Sequence, residues 1–247
     1  MSRYITKSRY KMAKECPTKL FYTGKKDLYE DQSLDDSFLK ALANGGFQVG
    51  ELAKIYFPGG EMVETLAYDE SLRQTNELLK QQNATIYEAA IQFDDLFVRV
   101  DILIKRGDSL EIIEVKSKSF DPHEDDAFYN KTELKKGNRK LNQEWLPYLE
   151  DIAFQTYATQ KSFPNLKVIP YLMLVDKSSQ TSVEGLNQLF LIKENKNGRS
   201  QVLTKTGTDK KSVGKQILCQ IPVRQEVDLI LASSAEFVGP FRRRQLA

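Results

Sequence analysis

The chain is poor in the residues that build disulfide frameworks and zinc sites. Its 247 residues include two cysteines, Cys16 and Cys219, and a single histidine, His123. Two cysteines so far apart cannot form a disulfide framework or a four-thiolate metal site. A single histidine in an acidic loop does not provide the several histidine or cysteine ligands that are typical of a zinc site. Structural disulfides and zinc chemistry are therefore disfavoured, and we expect His123 to lie at the surface.

Long hydrophobic runs and a dominant charge sign are also absent. No segment approaches the roughly 18 apolar residues that a membrane span needs, and the opening MSRYITKSRYKMAKE has no apolar core of the secretory kind. The 36 Lys and Arg nearly balance the 34 Asp and Glu, so the net charge is +2. We therefore expect a cytoplasmic protein without membrane contact. Its basic clusters, including one at residues 7–19, are more often solvated faces than phosphate contacts.

The composition is that of a folded chain, with 40% hydrophobic and 28% charged residues. A chain of this length can bury one sizeable core. We expect one domain over residues 1–233, with its core at about 33–176 and a peripheral hairpin and helix at 186–233. We expect residues 234–247 to form a flexible tail.

Hydrophobic periodicity predicts the order helix, three strands, helix, strand. Turn signals at Asp94-Asp95 and Gly107-Asp108 join the three strands into an antiparallel meander. The run VIPYLMLVD at 168–176 is typical of a central strand covered on both faces. We therefore expect an α/β fold with a mixed central sheet flanked by helices. Strands are predicted at 85–93, 96–105, 109–117, 168–176, 188–193 and 200–205, and helices at 8–15, 33–56 with a break near 44–46, 70–82, 147–161 and 223–232.

The strand EIIEVKSKS at 111–119 carries charged residues within an apolar pattern. If Gly107-Asp108 is a two-residue hairpin loop, counting along both strands places Asp101 opposite Glu114. The same count across the preceding turn places Glu88 opposite Asp101. The three carboxylates are therefore expected in one row across three neighbouring strands.

Strict alternation of side chains assigns the neighbours of this row to the two faces of the sheet. Lys116 shares the face of the row, whereas the apolar neighbours are expected to point the other way into the core. These apolar neighbours are Val100, Ile102, Ile113 and Val115.

Opposed carboxylates about 5 Å apart repel each other unless a cation lies between them. Oxygen ligands from Asp101, Glu114 and Glu88 suit Mg²⁺ or Mn²⁺, which leave positions open for phosphate oxygens. Beside Lys116, such an ion would provide the parts needed to cleave a phosphodiester. The plain alternative is an ordinary ion pair, such as Glu114 with Lys116, on a solvated face of the sheet.

The sequence Val100-Asp101 on the second strand, followed by Glu114-Val115-Lys116 on the third, resembles the motif of the PD-(D/E)XK nuclease superfamily. The order of elements over residues 33–176 is similar to the core of that superfamily. The resemblance implies a restriction-endonuclease-like core and a Mg²⁺- or Mn²⁺-dependent DNA nuclease.

Further residues resemble the RecB-like branch, which includes CRISPR-adaptation nucleases and helicase-associated exonucleases. The segment YITKSRYKMAKECPTKLFY at 4–22 is similar to the opening of that branch, and Gln155 matches its helix glutamine. By resemblance, Gln155 helps to bind the substrate or to orient the site. Asp151 lies one turn earlier on the same helix face. Glu51 lies in the first core helix, where the family often supplies an extra acidic or histidine residue.

The chain also departs from the branch pattern. Thr159 stands where the branch has tyrosine, and Tyr157 lies on the other side of the helix from Gln155. Cys16 matches the first of four cysteines that hold an iron–sulfur cluster in many relatives, but the other three are absent. We therefore expect no cluster, and we interpret Cys16 as a buried packing residue.

The leading hypothesis is a deoxyribonuclease in which a metal-activated water hydrolyses the phosphodiester bond. In this hypothesis Lys116 is the catalytic partner on the side of the base, where the attacking water is positioned. The alternative is a non-catalytic nucleic-acid-binding or assembly module on the same scaffold. The sequence leaves open DNA or RNA, single or double strands, and exonuclease or endonuclease action. The catalytic candidates are Asp101, Glu114, Lys116 and Gln155; the metal ligands are Asp101, Glu114, Glu88 and the Val115 carbonyl; the supporting residues are Glu51, Asp151 and Tyr157.

Overall fold

The computed structural model describes residues 4–23, 25, 28–29, 37–194 and 200–233. The helices are α1 (Lys7–Glu15), α2 (Pro17–Tyr22), α3 (Ser37–Tyr56), α4 (Tyr68–Leu78), α5 (Lys131–Lys135), α6 (Leu146–Ser162) and α7 (Arg224–Ala232). The strands are β1 (Ile5–Thr6), β2 (Glu61–Met62), β3 (Asn83–Phe93), β4 (Leu96–Arg106), β5 (Ser109–Phe120), β6 (Lys167–Asp176), β7 (Phe190–Glu194), β8 (Ser200–Thr204) and β9 (Leu218–Pro222). Within these residues, no helix combines the length and the apolar character needed to cross a membrane.

Seven strands form one mixed sheet in the order β2-β3-β4-β5-β6-β9, with β1 paired to β4 outside this path. Strands β3, β4 and β5 form an antiparallel meander, and β6 runs parallel to β5. The two turns have positive φ angles at Asp94 (52°) and Gly107 (54°), as tight hairpin turns require. The predicted α/β class, the mixed sheet and the meander are confirmed.

Helices cover both faces of this sheet. On one face, α6 buries Leu149, Ile152 and Ala158 in a core cluster that also contains Leu103 and Ile112. On the other face, α3 contributes to a second core cluster with Ile102 and Ile113; its buried residues there are Leu52, Ala53 and Tyr56. Pro147 lies in the first turn of α6, where its missing N–H has no intrahelical partner to lose. The sheet therefore has an α6 face and an α3 face.

Several predicted boundaries need correction. Helix α3 is continuous through Gly45 and Gly46, so the predicted break near 44–46 is wrong. Each helical glycine costs about 1 kcal/mol relative to alanine, and the packing of the C-terminal half of α3 on the sheet outweighs that cost. Thr6 caps α1 by accepting a hydrogen bond from the Arg9 N–H, so α1 begins at Lys7 rather than after Ser8.

The C-terminal part of the chain follows the prediction with one addition. The β7–β8 hairpin and helix α7 are present, and β9, which no sequence pattern predicted, pairs antiparallel with β6. Residues 195–199 and the predicted tail at 234–247 lie outside the described residues, as do 33–36 of the predicted first core helix.

Strands β4 and β5 pair over only part of their length. Their ladder runs from Arg106 opposite Ser109 to Ile102 opposite Ile113, and β5 then continues along β6. At its other end β4 pairs with the N-terminal strand β1, directly before α1. The two central strands therefore diverge beyond the Ile102–Ile113 pair, and the N-terminal segment enters the opening. We call this opening the split.

The β3–β4 ladder is irregular at the same level. Pairing skips Glu88 and Asp101, and Glu88 has a φ of 56°. Tyr87 and Ile102 belong to the core on the α3 face, whereas Val100 belongs to the core on the α6 face. The alternation of side chains therefore shifts by one residue on both strands, while the register of the ladder is unchanged because one residue is skipped on each strand. The prediction that Val100 shares the face of Ile102 is wrong for this reason.

Candidate functional site

Asp101 and Glu114 are the first residues of β4 and β5 beyond the last pair of their ladder. Where the strands diverge, the N–H of Val115 donates a hydrogen bond to Oδ2 of Asp101 at 2.7 Å. A buried backbone donor needs a partner, and here a side chain replaces the neighbouring strand. The split therefore holds Asp101 close to the backbone that carries Glu114.

Glu114 is the centre of a buried polar cluster. Its side chain is 1% exposed, and its Oε1 lies 2.5 Å from the Nζ atoms of both Lys7 and Lys116. The amide of Gln155 donates a hydrogen bond to Oε2 at 2.5 Å. Such charge-assisted bonds compensate the burial of the carboxylate. The ion pair of Glu114 with Lys116 exists, but the alternative that placed it on a solvated face is wrong.

Helix α6 adds two polar side chains to this cluster. Asp151 and Gln155 are buried, and Oδ2 of Asp151 lies 2.8 Å from Nζ of Lys11 and 3.1 Å from Nζ of Lys116. In the described part of the chain, Oδ1 of Asp151 and Oε1 of Gln155 have no hydrogen-bond partner. The cluster therefore holds oxygen atoms that can still accept a hydrogen bond or a ligand.

Sequence reasoning missed the role of α1. Its lysines at positions 7, 11 and 14 follow helical spacing along one face, and Lys14 forms an ion pair with Glu150 of α6. Tyr10 is 2% exposed and stacks on Phe154 with ring centroids 5.2 Å apart. The spacing of the lysines was visible in KSRYKMAKE, but their partners lie more than a hundred residues away. The sequence pattern alone therefore predicts surface charge.

The charged side chains of the cluster shift one another's pKa values. Burial, and next the charge of Glu114, raise the pKa of Asp101 to about 7. Burial alone would raise the pKa of Glu114, but Lys7 and Lys116 hold it well below its ordinary value. Burial alone would lower the pKa of Lys116, but Glu114 and Asp151 raise it above its ordinary value. At neutral pH Lys116 is therefore an ammonium group that donates hydrogen bonds in the cation-free protein.

Glu88 and Glu51 lie beside the cluster rather than at its centre. Burial raises the pKa of Glu88, while Lys54 and then Arg99 lower it. Glu51 forms an ion pair with Lys54 at 2.7 Å on α3. The charges of Lys54 and Arg99 therefore reach Glu88, and Glu51 is the ion-pair partner of Lys54.

The remaining predicted residues lie apart from the cluster. Tyr157 packs edge-on against Phe93 with ring centroids 6.2 Å apart, so it belongs to the core beside the β3–β4 turn. Cys16 is partly exposed, and backbone N–H groups of Lys19 and Thr18 lower the pKa of its thiol. The expectation of a buried Cys16 is therefore wrong, whereas His123 is exposed as expected.

The oxygen donors of the cluster fit a small divalent cation in part. Among the described residues, no three His, Cys, Asp or Glu side chains form a group that could hold a metal ion, so the predicted row of three acids is not assembled as one ligand set. Mg²⁺ is commonly bound through one or two carboxylates and several waters. Asp101 and Glu114, with the free oxygens of Asp151 and Gln155 nearby, meet that requirement. Two ammonium groups already contact Oε1 of Glu114, and the Gln155 amide contacts Oε2.

The cluster is separate from an apolar cavity on the α3 face. That cavity has a volume of about 1020 Å³ and is lined by residues of α3 and of the loop before β7, such as Val49, Leu52 and Leu186. None of the described residues of the cluster lines it.

Comparison of the chain with protein-family models, with curated proteins and with solved structures finds no match. The residues of the cluster and their geometry are therefore the basis for a function of this chain.

Proposed function

We propose that this chain is a Mg²⁺- or Mn²⁺-dependent deoxyribonuclease with the restriction-endonuclease-like core of the PD-(D/E)XK superfamily, RecB-like branch. The observation that carries the proposal is the buried Glu114, which two ammonium groups and the Gln155 amide hold beside Asp101 at the split. Burying ions costs several kcal/mol each, and apolar residues of similar size avoid that cost. Buried ionisable groups with shifted pKa values, which carry such a cost, are typical of functional sites.

The acidic side chains provide the cation site. Asp101 and Glu114 are the principal ligands, with the Val115 carbonyl and Glu88 as further oxygen donors. A bound Mg²⁺ or Mn²⁺ would polarise the scissile phosphate and lower the pKa of the attacking water. The bond from the Val115 N–H to Asp101 fixes one carboxylate relative to the other strand, so the two ligands are positioned before a cation arrives.

Lys116 and Gln155 supply hydrogen bonds to the reacting groups. Lys116 is held between Glu114 and Asp151 and donates to a phosphate oxygen on which negative charge develops. The Gln155 amide donates to Glu114 through its nitrogen, which leaves Oε1 free to orient water or substrate. These two side chains therefore position groups around the phosphate without changing their own charge.

A nucleic acid is the proposed substrate because a row of lysines leads from the cluster to solvent, and DNA is the kind that the family resemblance implies. The side chains of Lys7, Lys11 and Lys14 are 26%, 41% and 46% exposed. Lysine ammonium groups bind backbone phosphates without reading sequence. The lysine row of α1, defined by these three residues, therefore offers contacts for a polyanionic chain that passes the cluster.

The test is incubation with linear and circular, single- and double-stranded DNA in the presence of Mg²⁺, Mn²⁺ or EDTA. We expect cleavage with either cation and none with EDTA. Asp101→Ala and Lys116→Ala should each reduce the rate by about 10²-fold or more. Lys118→Ala is the matched control, because Lys118 lies on the same strand, is also 21% exposed and pairs with Glu144 instead. Cleavage retained by both site variants contradicts the proposal.

A non-catalytic nucleic-acid-binding module is the second candidate. It is favoured by one observation, namely that Lys7, Lys116 and Gln155 already neutralise and bond Glu114 without a divalent cation. This candidate predicts DNA binding without cleavage. It also predicts no rise of the melting temperature with Mn²⁺, whereas a cation site in the folded protein raises it. A melting experiment with Mn²⁺ and with EDTA distinguishes the two.

A further inference from the structure

The lysine row of α1 is paired with buried acids along its whole length. Its three members are spaced over about 10 Å of helix axis. Their partners are much less exposed than the lysines, at 1%, 0% and 11% of the side chain. The stacking of Tyr10 on Phe154 fixes the helix against α6. The pairs, in order, are Lys7 with Glu114, Lys11 with Asp151 and Lys14 with Glu150.

Both oxygens of Glu114 are engaged within the cluster. Lys7 and Lys116 share Oε1, and Gln155 holds Oε2. A divalent cation on the same carboxylate would lie a few ångströms from both ammonium groups, and like charges repel strongly where solvent is scarce. One of the two lysines therefore has to leave Glu114 when a cation binds.

Lys7 is the lysine that can leave. Lys116 also contacts Asp151 at 3.1 Å, so it keeps an anionic partner when it loses Glu114. Within the described residues, the ion pair of Lys7 is with Glu114 alone. The Lys7 side chain already reaches solvent, and it can rotate outward while Tyr10 holds α1 in place.

We propose that Lys7 is an exchangeable counter-ion. It neutralises Glu114 in the cation-free protein and moves to a backbone phosphate of DNA when Mg²⁺ or Mn²⁺ binds. This inference rests on the proposed function and adds a regulation of the same site. Because the cation frees the ammonium group that binds phosphate, and phosphate removes the competitor of the cation, each ligand strengthens the binding of the other.

The first experiment measures cation affinity in the full chain without DNA, from the rise of the melting temperature with Mn²⁺ concentration. Lys7→Met should reach half of the effect at about tenfold lower Mn²⁺, because the competitor is gone. Lys7→Arg should require more Mn²⁺ than the wild type, because a guanidinium holds a carboxylate by two hydrogen bonds. Lys14→Met is the matched control with the wild-type midpoint, because Lys14 pairs with Glu150 on the same helix face.

The second experiment measures the binding of a fluorescent DNA by anisotropy with Ca²⁺ or EDTA. In the wild type, Ca²⁺ should tighten DNA binding by about tenfold. In Lys7→Met this gain should disappear, and the slope of log affinity against log salt should fall by about one phosphate contact. In Lys14→Met the gain from Ca²⁺ should persist.

The outcomes that contradict the proposal differ in whether the counter-ion role or the cation site fails. Equal Mn²⁺ midpoints for the wild type, Lys7→Met and Lys7→Arg overturn the counter-ion role, and so does a weaker midpoint in Lys7→Met. If the wild type and all variants show no stabilisation by cations, the cation site itself fails, and the proposed function fails with it. If Lys7→Met does not fold, Lys7→Arg still places a positive charge beside Glu114. The direction in which its Mn²⁺ midpoint moves then decides whether Lys7 is a counter-ion.

Discussion

Strands β4 and β5 contain two regions that are stabilised in different ways. In the paired region, from Ile102 to Arg106 and from Ser109 to Ile113, the backbones bond to each other and most side chains are buried and aliphatic. In the split, which begins at Asp101 and Glu114, side chains supply the missing bonds. Backbone pairing ends at the Ile102–Ile113 pair, and the split begins at the next position of each strand.

The difference shows how one pair of strands can serve both stability and chemistry. In the paired region, a substitution costs free energy in proportion to the apolar volume that it removes. In the split, the charges compensate one another, so removing one side chain exposes the cost of burying the others. The largest effects are therefore expected where an ionic partner is lost.

The largest expected loss of stability follows Glu114→Ala. This change leaves Lys7, Lys116 and Gln155 without their shared partner. We expect the free energy of unfolding to fall by about 3 kcal/mol, at the lower end for a buried pair because both lysines reach solvent. Urea denaturation at pH 7 with EDTA measures it.

Glu111→Ala is the control for that measurement. Glu111 lies on the same strand in the paired region, and its partner Arg106 is 64% exposed. Such an exposed pair contributes at most about 1 kcal/mol. If Glu114→Ala and Glu111→Ala lower the free energy of unfolding equally, the buried ionic cluster contributes no more to stability than an exposed ion pair.

A smaller effect, which depends on pH, is expected for Asp101→Asn in the cation-free protein. Burial and the charge of Glu114 raise the pKa of Asp101 from 3.8 to about 7. The folded chain therefore holds this proton more tightly than the unfolded chain, and the resulting stability is lost as the pH rises from about 4 to about 7. Asparagine carries no such proton, and its amide oxygen can still accept from the Val115 N–H.

We therefore expect Asp101→Asn to gain stability relative to the wild type between pH 5 and pH 8, by about 2 kcal/mol. Urea denaturation at several pH values with EDTA gives both curves. Asp101 and Glu114 influence each other's titration through their charges, so the difference reports on this pair. A difference that stays constant with pH would show that Asp101 titrates at its ordinary value.

The sequence predicted the paired region well because that region follows local rules. Two-residue turns fix the register, and Arg106 lies opposite Ser109 as the count requires. The same count placed Asp101 and Glu114 at matching positions, which the structure brings together. Local turn chemistry therefore led to the two principal residues of the candidate site.

The split could not be predicted in the same way because its causes lie far apart in the chain. The shift of alternation coincides with the left-handed backbone of Glu88, and strict alternation predicts the wrong face for Val100. The pair of Lys7 with Glu114 joins residues 107 positions apart. A periodic pattern shows that a helix has a lysine row, but only the tertiary fold shows which acids the row meets.

The smallest expected effect is that of Ile112→Val in the paired region, and it tests whether the two regions are separable. Ile112 lies opposite Leu103 and is fully buried in the α6-face core. Losing one methylene should cost about 1 kcal/mol of unfolding free energy. Because no charge or hydrogen bond changes, the Mn²⁺ midpoint and the rate of DNA cleavage should match the wild type. A parallel loss of cation binding would instead show that apolar packing on β5 sets the geometry of Glu114 two residues away.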